Sequence, residues 1–200
     1  MQIENHKEEV PFAHYCERFA ALDPQEAAAR TGTPFENGAF CLTLLGHPYC
    51  ITHPEFSISG EGGTALKSLP AQTFLMRWLL EGKQTAGSRD FLTFREMPWG
   101  ELYIQPFTGR VLKRASFGTR LEAFRAACTA MGGLPLQAGD AGFEFTLLGN
   151  YRLRMLLWAG DDEFPPSAQL LYSANFVDGF AAEDRVVAGD LLCNEIKANL

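Results

Sequence analysis

Gly142-Phe143-Glu144-Phe145-Thr146-Leu147-Leu148-Gly149-Asn150-Tyr151-Arg152-Leu153-Arg154-Met155-Leu156-Leu157-Trp158 is the stretch whose reading decides the fold. Aromatic and branched side chains fill two arms of strand length. Gly149-Asn150 between them offers the positive φ angles that a two-residue hairpin turn requires. A lone hairpin is not stable in water, so more strands and a covering layer are expected around it.

The rest of the chain supplies both. Phe40-Cys41-Leu42-Thr43-Leu44-Leu45-Gly46 shares five of its seven residues with Phe143 to Gly149 at an offset of 103, an echo that a duplication or shared hairpin chemistry can produce. Residues 38–53 are read as a hairpin turning at Gly46-His47, with Phe40, Leu42, Leu44, Tyr49 and Ile51 on one face. That register sets Cys41 and Cys50 diagonally apart, about 7–8 Å between positions, too far for an unstrained disulfide. Residues 91–95 and 101–107 read as a further hairpin around Pro98-Trp99-Gly100, and residues 168–173 as another strand.

Helices alternate irregularly with these strands. Phe12, Tyr15, Cys16 and Phe19 recur at helical spacing, and Asp23-Pro24-Gln25-Glu26 restarts a helix that Gly32 ends. Ser68 to Glu81 carries Phe74, Leu75, Trp78 and Leu79 as its stripe. Thr119-Arg120-Leu121-Glu122 is a capping box leading into Leu121, Phe124, Cys128 and Met131. Residues 180–197 close the chain with Val187, Leu191, Leu192 and Ile196 turned inward. The expected fold is α+β, a mainly antiparallel sheet built from hairpins and covered by helices, as one domain over residues 35–200 behind a helical extension over 1–34.

Composition narrows the function classes. A hydrophobic content of 46% over 200 residues suffices for a proper core. No apolar run approaches the roughly 18 residues of a membrane span, and the charged start Met1-Gln2-Ile3-Glu4-Asn5-His6-Lys7 is unlike a signal peptide, so a cytoplasmic location away from membranes is expected. A net charge of −7 disfavours nucleic acid as a partner. Five scattered cysteines without a C-x-x-C pair point to reduced thiols and supply no zinc or iron–sulfur motif. No Rossmann, P-loop or G-x-S-x-G pattern occurs.

Two stretches could carry chemistry. Asp161, Asp162 and Glu163 stand together between an apolar run and Pro165-Pro166, and with Glu183 or Asp184 these oxygen donors could hold magnesium or calcium or position a base. The same acids could equally solvate a corner. Trp158 and Phe164 are expected to anchor that turn in the core. Glu183 and Asp184 also suit the start of the last helix, where the helix dipole favours negative charge. The second stretch is Lys113, Arg114, Thr119 and Arg120, cations at a helix N-terminus that could bind an anion. His47, Cys50 and His53 have ligand-like spacing, but on a strand Cys50 faces away from both histidines.

Gly38-Ala39-Phe40, Phe94-Arg95-Glu96 with Gly100 and Tyr103, Phe117-Gly118, Gly132-Gly133 with Gly139-Asp140, the Leu157 to Pro166 segment and Glu183-Asp184 together resemble a prokaryotic family catalogued as domain of unknown function 3786. The resemblance spans residues 35–200 and implies no activity. It implies kinship with proteins largely of anaerobic bacteria and archaea, some of which add a cysteine-rich iron–sulfur segment absent here. Many relatives read Leu-Phe-Asp where this chain has Leu171-Tyr172-Ser173, which removes one candidate carboxylate. The reading that follows is a ligand-binding or protein-interaction domain without enzymatic activity. Its alternative is a divalent-metal-assisted hydrolase or transferase using Asp161, Asp162 and Glu163.

Overall fold

The computed structural model describes residues 6–61, 66–108, 120–160 and 163–200. It divides into two compact units, Met1–Thr85 and Ala86–Leu200. The fold class is α+β, with two antiparallel sheets and helices.

The first unit opens with α1 (His6–Ala20) and α2 (Pro24–Thr31), followed by β1 (Phe35–Glu36), β2 (Ala39–Leu44), β3 (His47–Thr52), β4 (Ser57–Gly60) and α3 (Leu69–Glu81). Asp23 caps α2 by accepting from the Gln25 and Glu26 amides at 2.8 and 3.1 Å, and Gly32 ends it at φ +65°. The α3 helix runs within one residue of the expected range, with Ser68 as its N-cap and Gly82 as its C-cap, and Phe74, Leu75, Trp78 and Leu79 are all buried as expected. Arg30 donates to the Leu79 carbonyl at 2.7 Å and to that of Gly82, tying α2 to the end of α3.

The four strands lie in chain order. Asn37 and Gly38, at φ +51° and +79°, turn β1 into β2, a dipeptide signal that the hairpin reading passed over. The next turn is Leu45-Gly46, one residue earlier than expected, and the register becomes Leu44 opposite His47, Thr43 opposite Pro48 and Cys41 opposite Cys50. Pro48 is the reason. The pair flanking a two-residue turn exchanges hydrogen bonds in both directions, and a turn at Gly46-His47 would place Pro48, which has no N–H, in that pair. The observed register sets it opposite Thr43 at a position that asks for none. Leu45 accepts φ +48° in consequence. Phe19, Phe35, Phe40 and Phe56 form an aromatic core under this sheet, with centroids 4.7–6.2 Å apart in the Phe35–Phe40, Phe19–Phe56 and Phe19–Phe40 pairs.

The second unit contains β5 (Phe91–Thr93), a 3-10 turn (Phe94–Glu96), α4 (Gly100–Phe107), α5 (Leu121–Ala130), β6 (Leu134–Leu136), β7 (Ala141–Leu148), β8 (Tyr151–Trp158), β9 (Ser167–Ser173), α6 (Phe176–Gly179) and α7 (Ala182–Ala198). Its sheet runs β5-β9-β8-β7-β6, with the β7–β8 hairpin at the centre. Gly149 alone of the turn pair takes a positive φ, and a bulge lies between Thr146 and Leu148. The echoed heptapeptides therefore turn at different positions, Leu45-Gly46 in one and Gly149-Asn150 in the other.

Two expectations about the helices of this unit need correction. Residues 101–107 form helix α4, not a strand, and β5 pairs instead with β9 through Phe91–Ser173 and Thr93–Leu171. The α7 helix buries Leu192 and Ile196 as expected, but Val187 and Leu191 are only half-buried while Asp184, Arg185 and Asp190 are buried. Charge on α7 is thus structural as well as solvated. Tyr172 from β9 donates to the Arg185 carbonyl at 2.9 Å, fastening the sheet to this helix. Burial, and after it the charges of Cys193 and Asp190, hold the Tyr172 phenol well above its usual range.

Candidate functional site

A cleft in the second unit lies where the approach to α4 meets the start of α7. Thr93 and Glu96 first build a small capping box: the Thr93 amide and hydroxyl both donate to Glu96 Oε2 at 2.7 Å. These bonds, the hydroxyl's first, keep the Glu96 carboxyl below its ordinary value. Gly100 then lets the chain fold back on itself, because a Cβ there would lie 2.2 Å from the Phe94 carbonyl oxygen. Between these fixed points Trp99 is forced to φ +65°, and its side chain is 68% exposed.

Arg185 holds the opposite wall. It is 4% exposed, and its Nε donates to the Phe180 carbonyl at 3.0 Å, its Nη1 to the Pro98 carbonyl at 2.8 Å and its Nη2 to the Val177 carbonyl at 3.5 Å. One guanidinium thereby joins the residue before Trp99 to the α6–α7 connection. Burial lowers its pKa, opposed by the charges of Tyr172, Asp184 and Glu183. Its donors are turned to backbone oxygens, so it supports the wall more than it offers a binding cation.

The cleft between these walls has a volume of about 570 Å³ and is lined by Trp99, Leu102, Tyr103, Val177, Phe180 and Glu183 among others. Tyr103 donates to Glu183 Oε1 at 2.5 Å, orienting the carboxylate at the rim. Leu102 is 70% exposed, so an indole and an isobutyl group stand in solvent on one side of a positioned carboxylate.

The sequence-derived acidic site does not assemble as a unit from its described members. Asp161 and Asp162 lie outside the described residues. Glu163 is exposed in the loop between β8 and β9, Glu183 lines the cleft, and Asp184 is buried in α7. Among the described residues no three of His, Cys, Asp and Glu gather to hold a metal ion. Trp158 is 36% and Phe164 67% exposed, which corrects the expectation that they anchor the acidic turn. The described residues that flank the turn are held by other means. The Ala159 amide donates to Asp140 Oδ2 at 2.7 Å, Asp140 donates its own amide to the Leu157 carbonyl at 2.9 Å, and Gly160 packs so closely that a Cβ would lie 2.5 Å from Pro166 Cδ. Of the anion-site residues, Lys113, Arg114 and Thr119 lie outside the described residues, and Thr119 is also the first residue of the expected capping box. Arg120 is exposed at the N-cap of α5 without a side-chain cap.

Trp99, Leu102, Tyr103 and Arg185 were not singled out by sequence as site residues. Their signal was a tryptophan set between Pro98 and Gly100, an isolated aromatic in a turn with no apolar periodicity to absorb it.

A family model described as a domain of unknown function, DUF3786, matches residues 23–195. The chain belongs to this family. The match reaches back to the Asp23 cap of α2 and takes in every residue of the cleft. No curated protein and no solved structure matches the chain.

Among the described residues no helix is long and apolar enough to cross a membrane.

Proposed function

We propose that this DUF3786 protein is a non-enzymatic binding module whose α4–α7 cleft receives a small organic cation with a flat or branched apolar body. The observation that carries the reading is Trp99, held in left-handed backbone at the mouth of a cleft that also presents Glu183. A bulky residue at positive φ costs about 1–3 kcal/mol and persists where its surroundings over-determine it, which is common at ligand clamps. Here Gly100 and the Arg185–Pro98 bond do so, and the strained residue gains little burial in return.

The ligand's chemistry follows from the cleft. The face of an indole carries negative potential and attracts ammonium groups, by about 0.5–2 kcal/mol according to exposure. Glu183, fixed by Tyr103, adds a formal negative charge beside it, while Arg185 directs its own donors to carbonyl oxygens. A primary or quaternary ammonium on an apolar body satisfies both features, and a volume of about 570 Å³ falls within the usual size of small-molecule sites.

Calorimetric titration with a matched set of ammonium, neutral and carboxylate compounds of one shape tests this. The ammonium member is expected to bind best, with Trp99→Ala and Glu183→Gln each weakening it by about 3- to 30-fold. Equal binding of all three members, or ammonium binding indifferent to both substitutions, would overturn the reading.

A further inference from the structure

We propose that Cys41 and Cys50, in the first unit, form a reversible thiol–disulfide site whose reaction partner is a low-molecular-weight disulfide of the glutathione type.

The pairing pattern carries the inference. Leu44 and His47 flank the two-residue turn and form a hydrogen-bonded pair, and pairs alternate from there along an antiparallel ladder. Thr43–Pro48 is then a non-hydrogen-bonded pair, as Pro48 demands; Leu42–Tyr49 is hydrogen-bonded, and Cys41–Cys50 is non-hydrogen-bonded. Two further bonds agree with this phase: the Cys41 amide turns away from β3 to the Pro34 carbonyl at 3.1 Å, and the His53 amide bonds to Gly38 at 3.0 Å. Non-hydrogen-bonded partners have the closer spacing, about 4.5 Å between Cα atoms with both side chains on the same face. Disulfides span about 4.4–6.8 Å between Cα atoms, so the pair can close without moving the strands.

The thiols also face the right way. Phe40, Leu44 and Ile51 are buried on one face of the sheet, which leaves Cys41 exposed and Cys50 half-buried on the other. A shallow groove of about 460 Å³ runs over them, bounded by Thr43, Pro48, Tyr49 and Ser59. A small disulfide can approach both sulfurs there. The two side chains are hydrogen-bonded; that bond, then burial, then the charges of Cys50 and Glu36, push the Cys41 thiol up to about 11. The reaction is accordingly expected to quicken as pH rises.

The chemistry balances as ordinary exchange. A thiolate of the pair attacks one sulfur of the glutathione disulfide, forming a cysteine–glutathione S–S bond and expelling one glutathione thiolate. The opposing thiol loses its proton and attacks the cysteine sulfur of that mixed disulfide, closing Cys41–Cys50 and expelling the second glutathione. Two protein thiols are oxidised, one disulfide is reduced, and the two protons end on the two glutathione molecules. A close cross-strand bridge closes only a short loop and is readily reopened by excess reduced glutathione, which makes the site reversible.

The test equilibrates the intact chain in glutathione buffers of graded oxidised-to-reduced ratio, quenches with an alkylating agent and maps peptides by mass spectrometry. The expected result is a Cys41–Cys50 cross-linked peptide that grows with the oxidised fraction, disappears on adding reduced glutathione, and is replaced in Cys50→Ser by glutathione retained on Cys41. The proposal is overturned if, even in oxidised glutathione alone, Cys41 and Cys50 are recovered alkylated or separately glutathionylated without the cross-link.

Discussion

Replacing Arg185 by methionine should destabilise the protein by about 3 kcal/mol, a large loss for a single polar side chain. Hydrogen bonds to charged groups contribute about 1.5–3 kcal/mol each, and the bonds to Phe180 at 3.0 Å and Pro98 at 2.8 Å are well formed, whereas that to Val177 at 3.5 Å is weak. The two good bonds give about 3–6 kcal/mol, and removing the cation also takes a favourable charge away from buried Asp184. Against this, the cation is itself poorly solvated, as its lowered pKa records, and methionine fills similar space without that cost. The low end of the range is therefore expected. Lysine, a single-point donor, should recover one carbonyl and about half the loss. Urea denaturation with an unchanged m-value would report the difference, and faster hydrogen exchange at the Gly100 amide, which bonds to the Met97 carbonyl at 2.9 Å, would localise it. A loss below about 1 kcal/mol with unchanged exchange at Gly100 would refute Arg185 as the tie between Pro98 and α7.

Glu144, buried and accepting from Arg152 at 2.7 Å and Arg154 at 2.8 Å, should cost about 2–4 kcal/mol as glutamine, measured in the same denaturation series; the half-exposed arginines keep it below a fully buried pair. Phe164→Ala should cost under about 0.5 kcal/mol because the ring is already in solvent, and Asp140→Ala about 1 kcal/mol through the lost Ala159 bond; the opposite ranking would restore the apolar anchoring of the acidic turn. Stability should fall above pH 9, since burial pushes the Cys128 thiol from 9.0 to about 12 and the unfolded chain then releases a proton that the native state keeps. By pH 10 this amounts to about 1.4 kcal/mol, and Cys128→Ala should remove that part of the slope, leaving what the raised Cys41 thiol adds over the same range and the further fall that buried Tyr172 adds above its ordinary value of 10.0.

What the sequence disclosed and what it hid divide along physical lines. The α3 stripe, the restart of the helix at Asp23 and the β7–β8 hairpin were legible because each is a local rule carried by adjacent residues. The first hairpin's register was legible too, in Pro48, but hydrophobic alternation cannot reveal it, since turns at Gly46-His47 and at Leu45-Gly46 put the same side chains on the same face. Residues 101–107 read as a strand by composition, yet they form a helix while the partner of β5 is β9, far along the chain. The cleft was hidden for a similar reason. Tyr103 meets Glu183 across 80 residues and Arg185 reaches Pro98 across 87, separations over which no motif is visible in one chain. Burial of Asp184 and Arg185 on α7 likewise depends on what packs around the helix, which its own sequence does not state.

The most direct test of the cleft is a titration of a uniformly nitrogen-labelled sample with an arylalkyl ammonium compound, followed through the indole N–H signals of the three tryptophans. Trp78 is buried with its Nε1 donating to Thr33 Oγ1 at 3.2 Å, and Trp158 lies at the end of β8, so both serve as internal controls. The account predicts that the Trp99 signal moves saturably while the other two stay in place, and that the carboxylate analogue of the same shape moves none of them. A Trp99 signal that stays fixed at millimolar ammonium, or that follows the carboxylate equally well, would contradict it.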